Sequence, residues 1–273
     1  MSDGAPILVK WGGSLITDKK RPGTARPRVI ERLATELADL ATRRPGGVVL
    51  GHGSGSFGHV AASEHGVAEG VSDPRRLAGI GHTQDQAARL HRLVMAALLE
   101  ADVAAFSVVP GSRVVTAGGT PPETRWTPVW RALDLGLVPV VYGDVVLDRE
   151  RGSAILSTER VFVDLVRDLA TRGVRRPRIF WLGETAGVWD GEGRTLPRVG
   201  RGDLESLGDV IGGSAATDVT GGMRHRLQSA LEVASLGADS WIVDGREERV
   251  VERILAGEEL GTRVVARTAD TPL

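Results

Sequence analysis

Three lysines lie within eleven residues near the start of the chain, in the stretch "ILVKWGGSLITDKK" (7–20), and they suggest phosphate chemistry. The chain has 34 lysines and arginines together, and Lys10, Lys19 and Lys20 are its only lysines. An ammonium group is a compact charge that can follow a moving phosphoryl group, whereas a guanidinium prefers a fixed planar contact. We therefore predict functional roles for Lys10 and Lys19. For Lys20, an arginine-rich coding sequence that keeps lysines near its start is the better explanation.

Three glycine clusters follow predicted strands or precede predicted helices, where they would suit a phosphate group. They are "KWGGS" (10–14), "GHGSGSFGH" (51–59) and "TDVTGGM" (217–223). Glycine lets backbone N–H groups approach an anion closely, and a helix N-terminus adds partial positive charge. Converging loops of this kind would hold a polyphosphate or two phosphorylated ligands. The alternative for each cluster is a simple tight turn.

Histidines are a second possible source of chemistry, and only the position of His59 favours a functional role. It ends the second glycine cluster and could donate a hydrogen bond to an anion. No histidine pair has metal-ligand spacing with carboxylates, so we predict no zinc site. "GSGSFG" (53–58) matches the dinucleotide fingerprint, but it follows the second predicted strand, so a dinucleotide-binding oxidoreductase is the weakest interpretation.

Hydrophobic periodicity predicts alternating strands and helices, which is typical of an α/β protein. Strands are predicted at 7–9, 48–50, 104–109, 137–142, 178–182 and 240–245, with a hairpin turning at 149–152. Helices are predicted at 28–42, 76–101 and 157–171, after "TGGM", and near 248–256. The alternation favours a mostly parallel sheet with helices on both faces. We expect one domain over 1–273, subdivided into lobes 1–173 and 174–273.

Composition excludes several classes of function. The formal charge is −1 and there is no basic tract, which argues against nucleic acid as a partner. The chain has no cysteine, so disulfides and thiolate chemistry are excluded. The N-terminus lacks the pattern of a signal peptide, and no apolar run is long enough to span a bilayer. We expect a cytoplasmic protein with no membrane partner.

These motifs together resemble the amino acid kinase superfamily, and within it most closely the isopentenyl phosphate kinases. "VKWGGSLITDKKRPGTARPRVIERLATEL" is similar to the family's opening lysine–glycine motif, and "GHGSGSFGH" to its HGGGSFGH loop. "VPVVYGDVVLD" is similar to its GDVVxD hairpin, and "DVTGGM" to its nucleotide-binding motif. The resemblance implies an αβα sandwich around a mostly parallel sheet, usually dimeric. It also implies transfer of the ATP γ-phosphate to a small phosphorylated acceptor, with Mg²⁺ neutralising the nucleotide.

The resemblance implies roles for particular residues. Lys10 would contact the transferring phosphoryl group and Lys19 would stabilise the transition state. The implied acceptor site is Ser54, His59 and Thr158, in the N-terminal lobe. The implied ATP site, centred on the C-terminal lobe, comprises Lys10, Gly12, Gly13, Ser14, Gly55, Glu184, Gly221, Gly222 and Arg226. The implied catalytic set is Lys10, Lys19, His59, Glu159 and Arg226.

The chain departs from the family pattern at several of these positions. The glycine triplet of the second loop reads "GSG", with Ser54 in the middle, and the family's S-G-D reads "STE" (157–159). The usual lysine after "TGGM" is Arg226, and the usual aspartate after "RIFWL" is Glu184. We expect the longer Glu159 and the longer Arg226 to pair.

The departures leave the acceptor open between two chemistries. Isopentenyl phosphate is the first expectation, and a fosfomycin-type phosphonate is the second because "STERV" resembles that group of kinases. A non-catalytic nucleotide-binding protein is the third, although retention of Lys10, Lys19 and His59 counts against it. An apolar acceptor tail would need an apolar wall. The long helix offers apolar positions that serve equally well as such a wall or as ordinary core: Leu77, Ile80, Leu90, Leu93 and Val94.

Overall fold

A mostly parallel sheet of eight strands forms the centre of the molecule, as seen in a computed structural model. The structure describes residues 4–71, 73–119, 126–174, 176–203 and 221–266. The strand order is β3-β5-β2-β1-β8-β10-β11-β9, and only the β10–β11 pair is antiparallel among these described strands. The predicted sheet is therefore confirmed.

The helices and strands agree closely with the periodicity of the sequence. The strands are β1 (Ile7–Trp11), β2 (Val48–His52), β3 (Ala105–Ser107), β4 (Val115–Thr116), β5 (Val138–Tyr142), β6 (Asp144–Asp148), β7 (Gly152–Leu156), β8 (Arg178–Gly183), β9 (Arg198–Val199), β10 (Asp239–Asp244) and β11 (Thr262–Val264). The helices are α1 (Gly13–Ile16), α2 (Pro27–Arg43), α3 (Gly55–His65), α4 (Ala78–Glu100), α5 (Thr127–Asp134), α6 (Thr158–Thr171), α7 (Gly221–Ser235) and α8 (Val250–Leu255).

Helices cover both faces of the sheet, and the alternation of β1 shows which side chains face which layer. Ile7, Val9 and Trp11 pack into an apolar cluster with α2, α4 and α8. Leu8 packs into a second cluster with α5, α6 and α7. Because successive side chains of a strand point to opposite faces, Lys10 shares the face of Leu8, towards α6. The fold is thus an αβα sandwich, as the sequence predicted.

A small three-stranded sheet, β4-β6-β7, stands beside the main sheet. Its β6–β7 hairpin is antiparallel and turns between Asp148 and Gly152, which confirms the predicted hairpin. The hairpin leads directly into α6, where the Ser157 hydroxyl accepts a hydrogen bond from the Arg160 N–H as an N-cap. The N-terminus of α6 is thereby fixed next to the carboxyl ends of β1 and β2.

The first two glycine clusters lie at the carboxyl ends of β1 and β2 and each begins a helix. α1 starts at Gly13, and α3 starts at Gly55. Neither helix was predicted from the sequence, because glycine lowers helix propensity and the apolar pattern is short. Their N-termini meet at the same edge of the sheet, the usual ligand-binding edge of a parallel α/β sheet.

None of the described helices has the length and apolar character needed to cross a membrane.

Candidate active site

A cavity of about 430 Å³ opens at the carboxyl ends of β1, β2 and β8. Most of the predicted site residues line it, although they are spread over more than 200 positions of the sequence. The lining includes Lys10, Gly13, Ser14, Lys19, Ser54, Gly55, His59, Thr158, Glu159, Glu184, Gly222 and Arg226. The fold therefore brings together residues predicted from separate motifs.

A buried ion pair between Lys10 and Glu159 lies in this cavity. The Lys10 Nζ donates a hydrogen bond to Glu159 Oε1, and the two residues are 3% and 8% exposed. Burial lowers the pKa of Lys10, while the Glu159 carboxylate opposes that shift. Burial alone would raise the pKa of Glu159, but the Lys10 ammonium outweighs it and lowers that pKa to about 2. The pair is thus held charged on the α6 face of the sheet.

The two glycine loops touch each other through their backbones. A Cβ on Gly13 would lie 2.5 Å from the Gly55 nitrogen, and a Cβ on Gly53 would lie 2.8 Å from the Gly13 nitrogen. Gly55 has a φ of +50°, and the Thr17 hydroxyl joins the loops by donating to the Gly13 carbonyl and accepting from the Ser56 N–H. Two helix N-termini are therefore held side by side, an arrangement that suits an anion site, although the Ser56 N–H is already used by Thr17.

Lys19 and Glu184 meet at the mouth of the cavity. The Glu184 carboxylate accepts a hydrogen bond of 2.7 Å from the Arg26 guanidinium, and the Lys19 ammonium lies 3.8 Å from its second oxygen. Lys19 is about half exposed. Its side chain can therefore turn towards a bound anion without leaving a buried charge behind.

Arg226 lies across the ends of β1 and β8, and the structure corrects one prediction about it. Glu159 is paired with Lys10, and no ion pair joins Glu159 to Arg226 in the described part of the chain. Burial lowers the pKa of Arg226, and the carboxylates of Glu159 and Glu184 counteract this from a distance. The expected Glu159–Arg226 pair was wrong because Lys10, directly opposite the start of α6, reaches the carboxylate first.

Gly183 makes room for that guanidinium, and Gly12 lets the first loop approach β8 closely. A Cβ on Gly183 would lie 2.5 Å from Arg226 Nη1, and a Cβ on Gly12 would lie 2.8 Å from the Leu182 carbonyl. The Gly12 N–H donates to that same carbonyl at 2.8 Å. Gly12 therefore allows the first loop to lie close to β8. Its N–H already donates within the protein and is not available to a ligand.

The predicted acceptor residues Ser54, His59 and Thr158 surround the second loop. Ser54 precedes α3, and its hydroxyl does not cap that helix. His59 lies one turn further on in α3, and desolvation lowers its pKa, which favours the neutral ring. The Thr158 hydroxyl donates to the His52 carbonyl at 2.6 Å, so its buried side chain holds the loop from behind.

The third glycine cluster is only partly described. Residues 217–220 of "TDVTGGM" lie outside the described residues, whereas Gly221 and Gly222 begin α7. Of these two glycines, Gly222 lines the cavity. The helix then carries Met223, His225 and Arg226 into the lining.

Polar atoms without partners concentrate in this cavity. Five buried side-chain nitrogen or oxygen atoms of the described residues have no hydrogen-bond partner. Three of them, Ser56 Oγ, Thr185 Oγ1 and Arg226 Nε, belong to residues that line the cavity. Because buried polar atoms are nearly always satisfied, these three indicate a polar ligand that completes the site. Ser56 and Thr185 were not predicted individually from the sequence, although Ser56 lies within the second glycine cluster.

One wall of the cavity is small and mostly apolar. It is formed by Gly58, Ala62, Thr83, Ala87, Val145 and Ile155, from α3, α4, β6 and β7. The five positions of the long helix that could have formed either this wall or ordinary core do not line the cavity: they are Leu77, Ile80, Leu90, Leu93 and Val94. Leu90 and Val94 are buried in the core, and Leu77 and Leu93 are about half exposed. The smaller residues of the same helix, on the adjacent face, line the cavity instead.

The described residues contain no group of three or more histidine, aspartate or glutamate side chains placed to hold a metal ion. The three carboxylates in the lining are already engaged: Glu159 by Lys10, Glu184 by Arg26, and Asp144 by the N–H groups of Gly111 and Val145. A Mg²⁺ ion that keeps most of its water and binds substrate phosphates fits such a site, because it needs no carboxylate cage.

The comparisons with known proteins agree with this fold. The family model of the amino acid kinase family matches residues 5–244. The chain therefore belongs to the amino acid kinase family.

Within that family, several relatives are named isopentenyl phosphate kinase. An isopentenyl phosphate kinase of Methanothermobacter thermautotrophicus is 32% identical over 277 aligned positions, covering 96% of this chain and 99% of that protein. An isopentenyl phosphate kinase of Haloferax volcanii is 35% identical, covering 94% of this chain and 97% of that protein. A solved structure of an isopentenyl phosphate kinase superposes with a TM-score of 0.77 at 27% identity, covering 95% of this chain and 99% of that chain.

Proposed function

We propose that this protein is an ATP-dependent kinase that transfers the γ-phosphate to isopentenyl phosphate and releases isopentenyl diphosphate and ADP. The observation that carries the proposal is the cavity itself, which joins converging glycine loops and cations to a small apolar wall. The glycine loops and cations suit phosphate groups, and the apolar wall suits a short hydrocarbon tail. The names of the full-length relatives support the same acceptor.

In this proposal, an oxygen of the acceptor phosphate attacks the γ-phosphorus and the bond to the leaving ADP oxygen breaks. The protein does little covalent chemistry in such a transfer and acts by positioning and charge neutralisation. Lys10 would stay close to the phosphoryl group as it moves, held by Glu159. Lys19 would neutralise charge that develops in the transition state.

The nucleotide would occupy the side of the cavity bounded by β8 and α7. Backbone N–H groups at Gly13, Ser14 and Gly55 would bind its phosphates. Arg226, Gly222, Gly221, Glu184 and the space left by Gly12 would form the rest of that side. Mg²⁺ would be held mainly by the phosphates and would neutralise them.

The acceptor phosphate would lie at the N-terminus of α3, against Ser54 and His59, with Thr158 supporting the loop. Its tail would lie along the apolar wall. This places acceptor binding in the N-terminal lobe, 1–173, and nucleotide binding mainly in the C-terminal lobe, 174–273. We also propose that the protein is a homodimer and that it is cytoplasmic. Size-exclusion chromatography with light scattering tests the homodimer.

The deciding experiment measures ATP-dependent ADP release with a panel of acceptors. The panel contains isopentenyl phosphate, dimethylallyl phosphate, short alkyl phosphates, fosfomycin and a blank without acceptor. We expect kcat/KM to be highest with isopentenyl phosphate. Turnover of fosfomycin alone would reassign the protein to the phosphonate kinases, and ATP binding without turnover of any acceptor would make it a non-catalytic nucleotide-binding protein.

A further inference from the structure

A chain of hydrogen bonds runs through the core behind the second glycine loop. The His52 Nδ1 lies 3.1 Å from the Gly53 carbonyl oxygen, and its Nε2 lies 3.0 Å from His91 Nδ1. The His91 Nε2 in turn lies 2.7 Å from the Ser107 hydroxyl. We call these three side chains, Ser107, His91 and His52, the histidine chain. None of them lines the cavity.

The donors and acceptors of the histidine chain allow only one arrangement with neutral rings. The Gly53 carbonyl can only accept, so His52 carries its proton on Nδ1 and accepts at Nε2. His91 must then donate from Nδ1 and accept at Nε2 from the Ser107 hydroxyl. Every ring nitrogen is used, and all the bonds run in the same direction, from Ser107 to the loop.

Burial keeps the two rings neutral. His52 is 0% exposed and His91 is 5% exposed. Burial lowers the pKa of His52 to about 4 and that of His91 to about 3. Tyr142 stacks on both rings, with centroid distances of 5.6 Å to His52 and 4.3 Å to His91. Burying two imidazoles is unfavourable compared with burying apolar side chains, so filling space alone does not explain them.

The histidine chain ends on the peptide bond that enters the phosphate loop. In a trans peptide, the C=O and the following N–H point in opposite directions. Holding the Gly53 carbonyl on the His52 ring therefore fixes the direction of the Ser54 N–H. The preceding peptide is fixed as well, because the His52 carbonyl accepts from Thr158 Oγ1 at 2.6 Å and from the Gly143 N–H at 3.0 Å.

We propose that Ser107, His91 and His52 are positioning residues that aim the Ser54 N–H at the acceptor phosphate. They touch neither substrate, and they act through the Gly53–Ser54 peptide. This inference rests on the proposed function for the identity of the acceptor. Whether the loop is oriented to bind an anion can be tested without knowing which acceptor the protein uses.

The kinetic test compares His91→Phe with His82→Gln. Phenylalanine can still stack on Tyr142 but leaves His52 Nε2 without its donor, so the His52 ring is free to change tautomer and release the carbonyl. His82 is an exposed histidine on the same helix and is the matched control. We expect His91→Phe to raise the acceptor KM about tenfold, the usual effect of losing one well-aligned hydrogen bond to a charged group. The KM for ATP should change less than twofold.

A second measurement follows the loop without turnover. Inorganic phosphate is titrated into the ¹⁵N-labelled protein while the Ser54 amide signal is monitored. We expect the phosphate Kd to rise at least fivefold in His91→Phe and to stay unchanged in His82→Gln. If wild-type protein turns over no acceptor but this difference is observed, the proposed function fails and the positioning role holds.

Imidazole ¹⁵N spectra of the wild-type protein test the chain itself. We expect His52 and His91 to be neutral with the proton on Nδ1 from pH 8 down to pH 5. A proton on Nε2 of either ring in that range would overturn the proposal. So would an unchanged acceptor KM together with an unchanged phosphate Kd in a His91→Phe variant that retains its fold.

Discussion

Lys10 on the first strand and Glu159 on the sixth helix, 149 positions apart in sequence, form a buried ion pair in the floor of the cavity. The pair links the two layers of the sandwich at the point where phosphoryl transfer is proposed. A buried pair of this kind can contribute both to stability and to catalysis, and mutation can separate the two contributions.

Removing one member of the pair should destabilise the protein strongly. Lys10→Met leaves the Glu159 carboxylate buried without its partner, and we expect the free energy of unfolding to fall by about 3 kcal/mol or more. The double variant Lys10→Met/Glu159→Leu removes both charges and should recover most of that stability without recovering activity. Urea denaturation and ADP release measure the two effects, with the exposed Lys20→Met as control. Recovery of activity in the double variant would contradict a role for Lys10 in catalysis.

Lys19 and Lys20 are adjacent lysines that should behave differently. Lys19 lines the cavity and lies 3.8 Å from Glu184, whereas Lys20 does not line it. Lys19→Met should lower kcat about 10²-fold, the typical effect of losing a group that stabilises transition-state charge. Lys20→Met should change kcat less than twofold. Equal kinetic effects at the two positions would mean that local charge, and not the position of Lys19, is what matters.

The contact between the glycine loops should tolerate no side chain. In Gly13→Ala the new Cβ would lie 2.5 Å from the Gly55 nitrogen, and a backbone atom cannot rotate away. We expect kcat/KM to fall about 10²-fold, because small displacements of phosphate-binding groups have large effects on transfer.

The matched control is Gly81→Ala on α4, where a Cβ would meet no atom within 4 Å. That substitution should leave activity unchanged and stabilise the helix by up to about 1 kcal/mol. Thermal unfolding monitored by circular dichroism gives the stability of both variants. If Gly13→Ala keeps full activity, the two loops have room to separate.

Asp164 on α6 should make stability depend on pH. Its Oδ2 is buried without a partner, and burial raises its pKa from an ordinary 3.8 to about 6, although Arg160 and Arg167 lie within 4 Å of its other oxygen. The folded state therefore binds a proton more tightly than the unfolded state. The contribution of Asp164 to stability is full below pH 3.8, decreases as the pH rises through about 6, and is constant above that.

Asp164→Asn removes this titration. Relative to wild type, the variant should gain up to about 3 kcal/mol in the free energy of unfolding between pH 4 and pH 7.5. Urea denaturation at a series of pH values measures the difference, and the exposed Asp85→Asn controls for loss of one charge. Parallel pH profiles for wild type and Asp164→Asn would show that Asp164 titrates normally.

The sequence predicted the fold well where local patterns were strong. The apolar run of β1, the helix over 157–171 with its Ser157 cap, and the hairpin turning at 149–152 were confirmed because each depends on neighbouring residues. The convergence of the glycine loops was also foreseeable, since parallel strands place their carboxyl ends at one edge.

The parts that sequence did not predict depend on contacts between distant segments. His52 and His91 lie 39 positions apart, one at the end of β2 and one on α4, and only their burial against Tyr142 brings them together. The partner of Glu159 was mistaken for the same reason, because residue types suggested Arg226 while the alternation of β1 directs Lys10 towards α6. The sequence left open whether the large apolar side chains of the long helix line the cavity or the core, and the structure shows Thr83 and Ala87 of that helix in the lining instead.

The first strand is buried along its whole length, with apolar residues on both faces before Lys10. The apolar part of such a strand offers little resistance to a shift by one residue, because either face would still be apolar. A single insertion between Ile7 and Val9 would nevertheless turn the Lys10 ammonium towards α2, away from the Glu159 carboxylate, and would bury both charges without partners. The length of this short strand is therefore constrained by one charged residue, and insertions or deletions here should yield proteins that are both inactive and destabilised.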